Sequence, residues 1–174
     1  MGNESLFFIL FSLGGKNIFL DWLMIFGAEA IIFLSYILIF ILAIYGRVKE
    51  RKALVLALIS FPILIIIIKI IHLFIYNPRP FIEYDIVPLI NHYADASFPS
   101  RHTTIMSSFA FSYILTKSKW ASLFIVMTIW VGLGRVFIGI HYPADIIGGV
   151  LVGFLSVIFA LKIARILKFK FFLK

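Results

Sequence analysis

A chain of 174 residues, 63% hydrophobic, 14% charged and with a mean hydropathy of +1.10, is too apolar for a soluble domain, where about 25% of residues are charged. The excess of 16 Lys/Arg over 8 Asp/Glu lies in short segments between apolar runs and in the C-terminal stretch, a pattern of membrane topology that argues against nucleic-acid binding. There is no cysteine, which excludes disulfide and thiol chemistry.

Residues 5–20 are apolar but interrupted by Gly14, Gly15 and Lys16. This stretch is too short to span a bilayer, which needs about 20 apolar residues, and reads as an interfacial helix. Glu4 stands where a signal peptide would be basic, and Leu6 breaks the myristoylation pattern. Asp21 is placed to cap a first span over 22–45. A basic turn, GRVKERK, separates it from a second span over 53–76, which holds Pro62 as a kink point and Lys69 and His72 in its second half. Residues 77–99 carry Pro78, Pro80, Pro88 and the acids Glu83, Asp85 and Asp95, and read as a loop with solvated acids.

Ser100 is a good N-cap for a third span over 101–116. A short turn at 117–119 leads to a fourth span over 120–136 and a loop at 139–142. Pro143 suits the first turn of a fifth span ending near 167, and the tail KFKFFLK is expected on the membrane surface. No repeat or low-complexity segment is present. The expectation is all-α: a polytopic integral membrane helix bundle of about five spanning helices plus a short N-terminal interfacial helix, forming one domain over 1–174.

Lys/Arg asymmetry sets the orientation. Arg47, Lys49, Arg51, Lys52, Lys117, Lys119, Lys162, Arg165, Lys168, Lys170 and Lys174 fall on one side; Lys16, Arg79, Arg101 and Arg135 fall on the other. The basic side is expected in the cytoplasm. Arg79, the stretch PSRH at 99–102 and the stretch GRVFIGIHYPAD at 134–145 then share the outer, extracellular or periplasmic face of a multi-pass cell-membrane protein.

The residues gathered there suit phosphate chemistry. Arg79 and Arg135 are permanently charged forks that match phosphate oxygens. Ser100 sits at a helix N-terminus, a natural anion site. His141 can act as nucleophile or base, with Asp145 four residues on to orient it. His102 has no adjacent acid in sequence and is the better proton donor to a leaving oxygen. Fixed arginines can supply the charge that magnesium supplies elsewhere, so no metal or cofactor is expected.

NPRP at 77–80, SFPSRH at 97–102 and the run Arg135, five residues, His141, three residues, Asp145 resemble the signature K-x6-RP, PSGH, SR-x5-H-x3-D of the type 2 phosphatidic acid phosphatase superfamily. The run LINHYADASFPSRHTT and the short N-terminal segment make the chain most similar to the undecaprenyl-diphosphate phosphatase branch. The resemblance implies a metal-free phosphohistidine intermediate on His141, His102 as acid, and Arg79, Arg135 and Ser100 on the phosphate. It implies a lipid phosphate as partner, a polyprenyl diphosphate foremost, and leaves oligomeric state open. A phosphatidylglycerophosphate or phosphatidate phosphatase, or a non-catalytic polyprenyl-phosphate binding or transport protein, are the alternatives.

Three positions depart from the signature. His72 stands where a lysine is expected, with Lys69 one turn earlier as its substitute or as a snorkelling side chain; both are candidate phosphate contacts. Arg101 replaces a small or acidic residue between Ser100 and His102, either adding charge beside the leaving group or pairing with Asp95 or Glu83. Gly134 replaces a serine. His92 is read as a structural or solvated histidine.

Overall fold

In the computed structural model, which describes residues 2–167, the apolar runs are helices, and no strand forms among the described residues. The order is α1(Asn3–Phe11), α2(Ile18–Tyr45), α3(Val48–Phe74), α4(Pro80–Glu83), α5(Arg101–Leu115), α6(Ala121–Phe137) and α7(Pro143–Ile166). By length and composition α2, α3 and α7 can each cross a membrane. The apolar α6 has 17 residues and α5 has 15, close to the expected stretches 120–136 and 101–116 and shorter than the roughly 20 residues a straight bilayer span needs. The expected surface tail lies outside the described residues.

Local chemistry sets the helix ends. Asn17, not Asp21, caps α2: its side chain accepts from the Phe19 and Leu20 amides at 2.9 and 3.2 Å. Asp21 instead accepts from the Gly15 amide, tying α2 to the preceding turn. The expected basic turn shrinks to Gly46 and Arg47, because Glu50 reaches back to the Arg47 amide at 2.8 Å and starts α3 early. Buried Glu50 also accepts from the Ser118 hydroxyl at 2.7 Å, joining two turns at one end of the bundle. α3 continues through Pro62. Pro80 begins the short α4 and Pro143 begins α7, each at a position where a missing amide hydrogen costs little.

Helix α5 is the hub, packed against α3, α6 and α7. Thr103, Thr104, Ser107, Ser108 and Ser112 are buried there. Thr104, Ser107, Ser108 and Ser112 return their hydroxyls to carbonyls three or four residues back, at 2.7–3.0 Å, so these four side chains bring their own partners into an apolar bundle, whereas the buried Tyr113 hydroxyl has none among the described residues. Small residues also let α7 approach closely. A side chain at Gly149 would meet Ser100 and Thr103, and one at Gly153 would meet Ser107 and Thr104. This Gly-x3-Gly spacing brings the start of α5 against the start of α7. On the other side of α5, Met106, Phe109 and Tyr113 pack with Ile31, Ile32, Phe124 and Val131.

α1 lies across the α6–α7 corner. Phe7 is fully buried and packs with Val136 and Tyr142, and the Asn3 side chain accepts from the Ala144 amide at 2.9 Å. Replacing Gly153 with Leu should wedge α5 from α7, at a cost of about 1–3 kcal/mol or more. A lowered Tm in detergent, with loss of the monodisperse peak, is expected; an unchanged melting curve would show that the close approach is dispensable.

Candidate active site

The α5–α7 contact carries two of the three motifs. Ser100 donates its amide to the Asp145 carbonyl at 3.0 Å, which fixes PSRH against HYPAD. Arg79 arrives from the third segment, held between Pro78 and Pro80, with its carbonyl accepting from the Ile82 and Glu83 amides. Arg135 comes from the last turn of α6 and His141 from the loop between α6 and α7. Arg79, Arg135, His102 and His141 line one cavity of about 360 Å³.

The contacts of His141 define its protonation state. Nε2 lies 3.1 Å from Arg79 Nη1, and Nδ1 lies 3.2 Å from Asp145 Oδ2. A guanidinium only donates, so Nε2 must accept and the imidazole hydrogen sits on Nδ1, directed at the carboxylate. Burial, with help from the charges of Arg135 and Arg79, pushes the His141 pKa well below the usual histidine range and keeps the ring neutral. Asp145 Oδ2 also accepts from the Tyr142 amide at 2.8 Å and the Ser97 hydroxyl at 2.5 Å. These contacts hold the carboxylate and thus the ring.

Both principal arginines are 1% exposed, so their charges need partners. Arg79 bonds Asp95 at 2.8 Å and the Ile140 carbonyl at 2.9 Å in addition to His141. Burial lowers its pKa to about 10, still well above neutrality. Arg135 bonds Glu29 of α2 at 2.5 Å and His92 Nε2 at 3.1 Å, while its buried Nε has no partner. Arg101 pairs with Asp95, which therefore bridges it to Arg79. His102 faces the cavity without a hydrogen-bond partner among the described residues. No group of three or more His, Cys, Asp or Glu among the described residues has the arrangement of a metal site.

A family model described as the PAP2 superfamily matches residues 51–168, a stretch that contains all of these side chains except Glu29. The chain belongs to the PAP2 superfamily. It is 30% identical over 157 residues to undecaprenyl-diphosphatase BcrC of Bacillus subtilis, covering 88% of this chain and 81% of that one. It is 33% identical over 171 residues to a protein named bacitracin transport permease protein BcrC of Bacillus licheniformis, covering 96% and 83%. The crystal structure of Aquifex aeolicus LpxE shares its fold, with a TM-score of 0.73 at 22% identity over 92% of this chain and 94% of that one. With its long apolar helices, the chain is a multi-pass membrane protein of this family.

Other expected PAP2 site residues lie elsewhere. Ser100 is fully buried and is not among the residues lining the cavity; its hydroxyl accepts from Thr103 Oγ1 at 3.1 Å and does not cap α5. Lys69 and His72 do not enter the His102–His141 cavity but line a neighbouring one. His72 Nε2 lies 3.1 Å from the Phe98 carbonyl, tethering α3 to the segment before Ser100.

Sequence reasoning missed three participants, Glu29, Ser97 and His92, while the pairing of Arg101 with Asp95 was one of its expected alternatives. Glu29 had a legible signal, an acid within an apolar span, where such residues are costly and need partners. Ser97 and His92 had none, nor did the second contact of Asp95, with Arg79, since a loop sequence does not say which side chains fold inward. His92 is not simply solvated: Nδ1 faces the Tyr93 carbonyl at 3.1 Å, leaving Nε2 to accept from Arg135, and burial beside the arginines lowers its pKa to about 4.

Nitrogen-15 NMR of histidine-labelled protein should find His141 uncharged at pH 6 with its proton on Nδ1. A charged ring at that pH would overturn the assignment.

Proposed function

We propose that this protein is a metal-independent lipid phosphatase that hydrolyses undecaprenyl diphosphate to undecaprenyl phosphate and inorganic phosphate, recycling the cell-wall carrier lipid. The observation carrying this reading is the line Asp145–His141–Arg79 over a cavity that also holds His102. It provides an oriented neutral nucleophile, a fixed cation at the reacting atom and an acid for the leaving oxygen. The name of the B. subtilis relative supports the choice of substrate.

In the resting site the Nε2 lone pair is held by Arg79. An incoming phosphate offers Arg79 a stronger, charge-assisted partner and frees that lone pair. Nε2 then attacks the terminal phosphorus, and its bond to the bridging oxygen breaks. The electron pair passes to that oxygen, His102 supplies a proton, and undecaprenyl phosphate leaves. Asp145 stabilises the positive charge that develops on the ring. Water, deprotonated by His102, attacks the phosphohistidine and releases phosphate, restoring both histidines. Arg135, with its unpartnered Nε, and Arg79 stabilise charge on the equatorial oxygens.

The orientation follows from charge. Arg47, Lys49, Lys117 and Lys119 line a groove at the end of the bundle away from the histidines, and Arg165 joins Lys52 and Lys117 beside it. By the positive-inside rule that end is cytoplasmic and the site opens outward.

Purified protein in detergent with EDTA should release phosphate from undecaprenyl diphosphate. His141→Ala should lower the rate at least about 10³-fold. His102→Ala should lower it about 10²–10⁴-fold. Vanadate should inhibit by imitating the five-coordinate phosphorus; no inhibition at millimolar vanadate, or reversible loss of activity with EDTA, would sink the mechanism. Phosphatidylglycerophosphate and phosphatidate in the same assay test the other lipid substrates through kcat/KM.

A second reading, polyprenyl-phosphate binding or transport without turnover, draws on the name of the B. licheniformis relative. Tight lipid binding with no phosphate release would favour it.

A further inference from the structure

Arg101 and Ile105 line two cavities at once. One is the catalytic cavity with His102 and His141. The other, about 400 Å³, has walls of Phe61, Leu64, Ile65 and Ile68 and is rimmed by Lys69 and His72 of α3. The two sides of the shared boundary differ in charge and polarity. The catalytic cavity is walled by arginines, histidines and Asp95. The neighbouring one is an apolar slot whose charged side chains are Lys69 and Arg101.

The cations also differ in how firmly they are held. Arg79 is 1% exposed and fixed by Asp95, the Ile140 carbonyl and His141. Arg101 has a side chain 48% exposed and is held by Asp95 alone among the described residues. Lys69 has no hydrogen-bond or ion-pair partner among the described residues, although it lies in a membrane-crossing helix about five residues from its end, roughly 7 Å along the axis. An unpaired ammonium at that depth favours an anion beside it. Asp95 serves both arginines, so Arg101 can leave it for another anion while Arg79 keeps it.

From this arrangement we infer that the boundary is a second phosphate subsite: Arg101 and Lys69 take the non-scissile phosphate of a lipid diphosphate, and the apolar slot between α3 and α5 takes the first part of its hydrocarbon chain. The assignment rests on the phosphatase reading above and refines it. The terminal phosphate sits on Arg79, Arg135 and His141. The bridging oxygen then lies by His102, next to Arg101 on the same helical turn, and the second phosphate falls at the junction of the cavities. Arg101, in the place of a small or acidic residue, thereby selects diphosphates over monophosphates. His72, committed to the Phe98 carbonyl, shapes the subsite without holding the phosphate.

The test compares farnesyl diphosphate with farnesyl phosphate. In turnover, Arg101→Ala and Lys69→Met should each lower kcat/KM for the diphosphate about 10-fold or more, the loss expected for a hydrogen bond to a charged group, and by a clearly larger factor than for the monophosphate. Equal losses on both lipids, or none on the diphosphate, would overturn the subsite; the second outcome for Lys69→Met alone would make that lysine a side chain that merely reaches for the interface. Equilibrium binding of the same two lipids to His141→Ala, with and without Arg101→Ala, separates the two proposals. If the wild type releases no phosphate from any lipid, the phosphatase reading fails. The subsite still stands if Arg101→Ala weakens diphosphate binding selectively, and falls if both lipids bind equally to the two variants.

Discussion

Two guanidinium groups buried in an apolar bundle impose the main constraint on this structure. Arg79 and Arg135 cannot shed their charge, and each is only 1% exposed. Each must therefore be surrounded by acceptors drawn from the rest of the chain. Arg79 collects Asp95, the Ile140 carbonyl and the lone pair of His141; Arg135 collects Glu29 and His92. These contacts draw α2, the loop after α4, α6 and the start of α7 to one place. A buried ion pair is weak evidence for stability, because desolvation offsets most of its attraction. Its value, on the proposed function, lies in placing cations where a phosphate can replace the protein's own acceptors.

That replacement connects resting geometry with chemistry. The Nε2 lone pair of His141, the proposed nucleophile, is occupied by Arg79, and Asp95 spans Arg79 and Arg101. The site is thus closed upon itself by hydrogen bonds of a kind that a charge-assisted phosphate contact can outcompete. Among the described residues, the Nε of Arg135 is the site donor buried without a partner. Such an orphan is expensive in a folded structure and reads as a place kept for an oxygen of the substrate.

The bundle makes this possible by filling its centre with small and self-satisfied residues. Hydroxyl groups on α5 bond to their own helix, and the glycines of α7 let it press close. In an apolar surround there is little hydrophobic drive to pull helices together, so close packing and matched polar groups carry the association. The same contact sets the spacing between His102 on α5 and His141 just before α7. Packing and catalysis are consequently difficult to separate along this interface.

Much of this was legible in the residues themselves. Apolar runs broken by Pro, Gly and Asn gave the helices, and the four-residue spacing of His141 and Asp145 gave the imidazole with its carboxylate, because that spacing at a helix start brings two side chains together whatever the fold. The resemblance to the PAP2 superfamily was legible as well, and the chain belongs to it. Helix boundaries slipped where a side chain reached back, as Glu50 does to Arg47, since capping depends on a conformation that composition does not display. Ser97, His92 and Glu29, and the bridge from Asp95 to Arg79, became part of the site only through tertiary structure, because a loop's inward face and a helix's rotation follow from packing against other elements. The division of Lys69 and His72 from the catalytic cavity has the same origin: the register of α3 against α5 decides which side of Arg101 each one meets, and sequence distance carries no information about that.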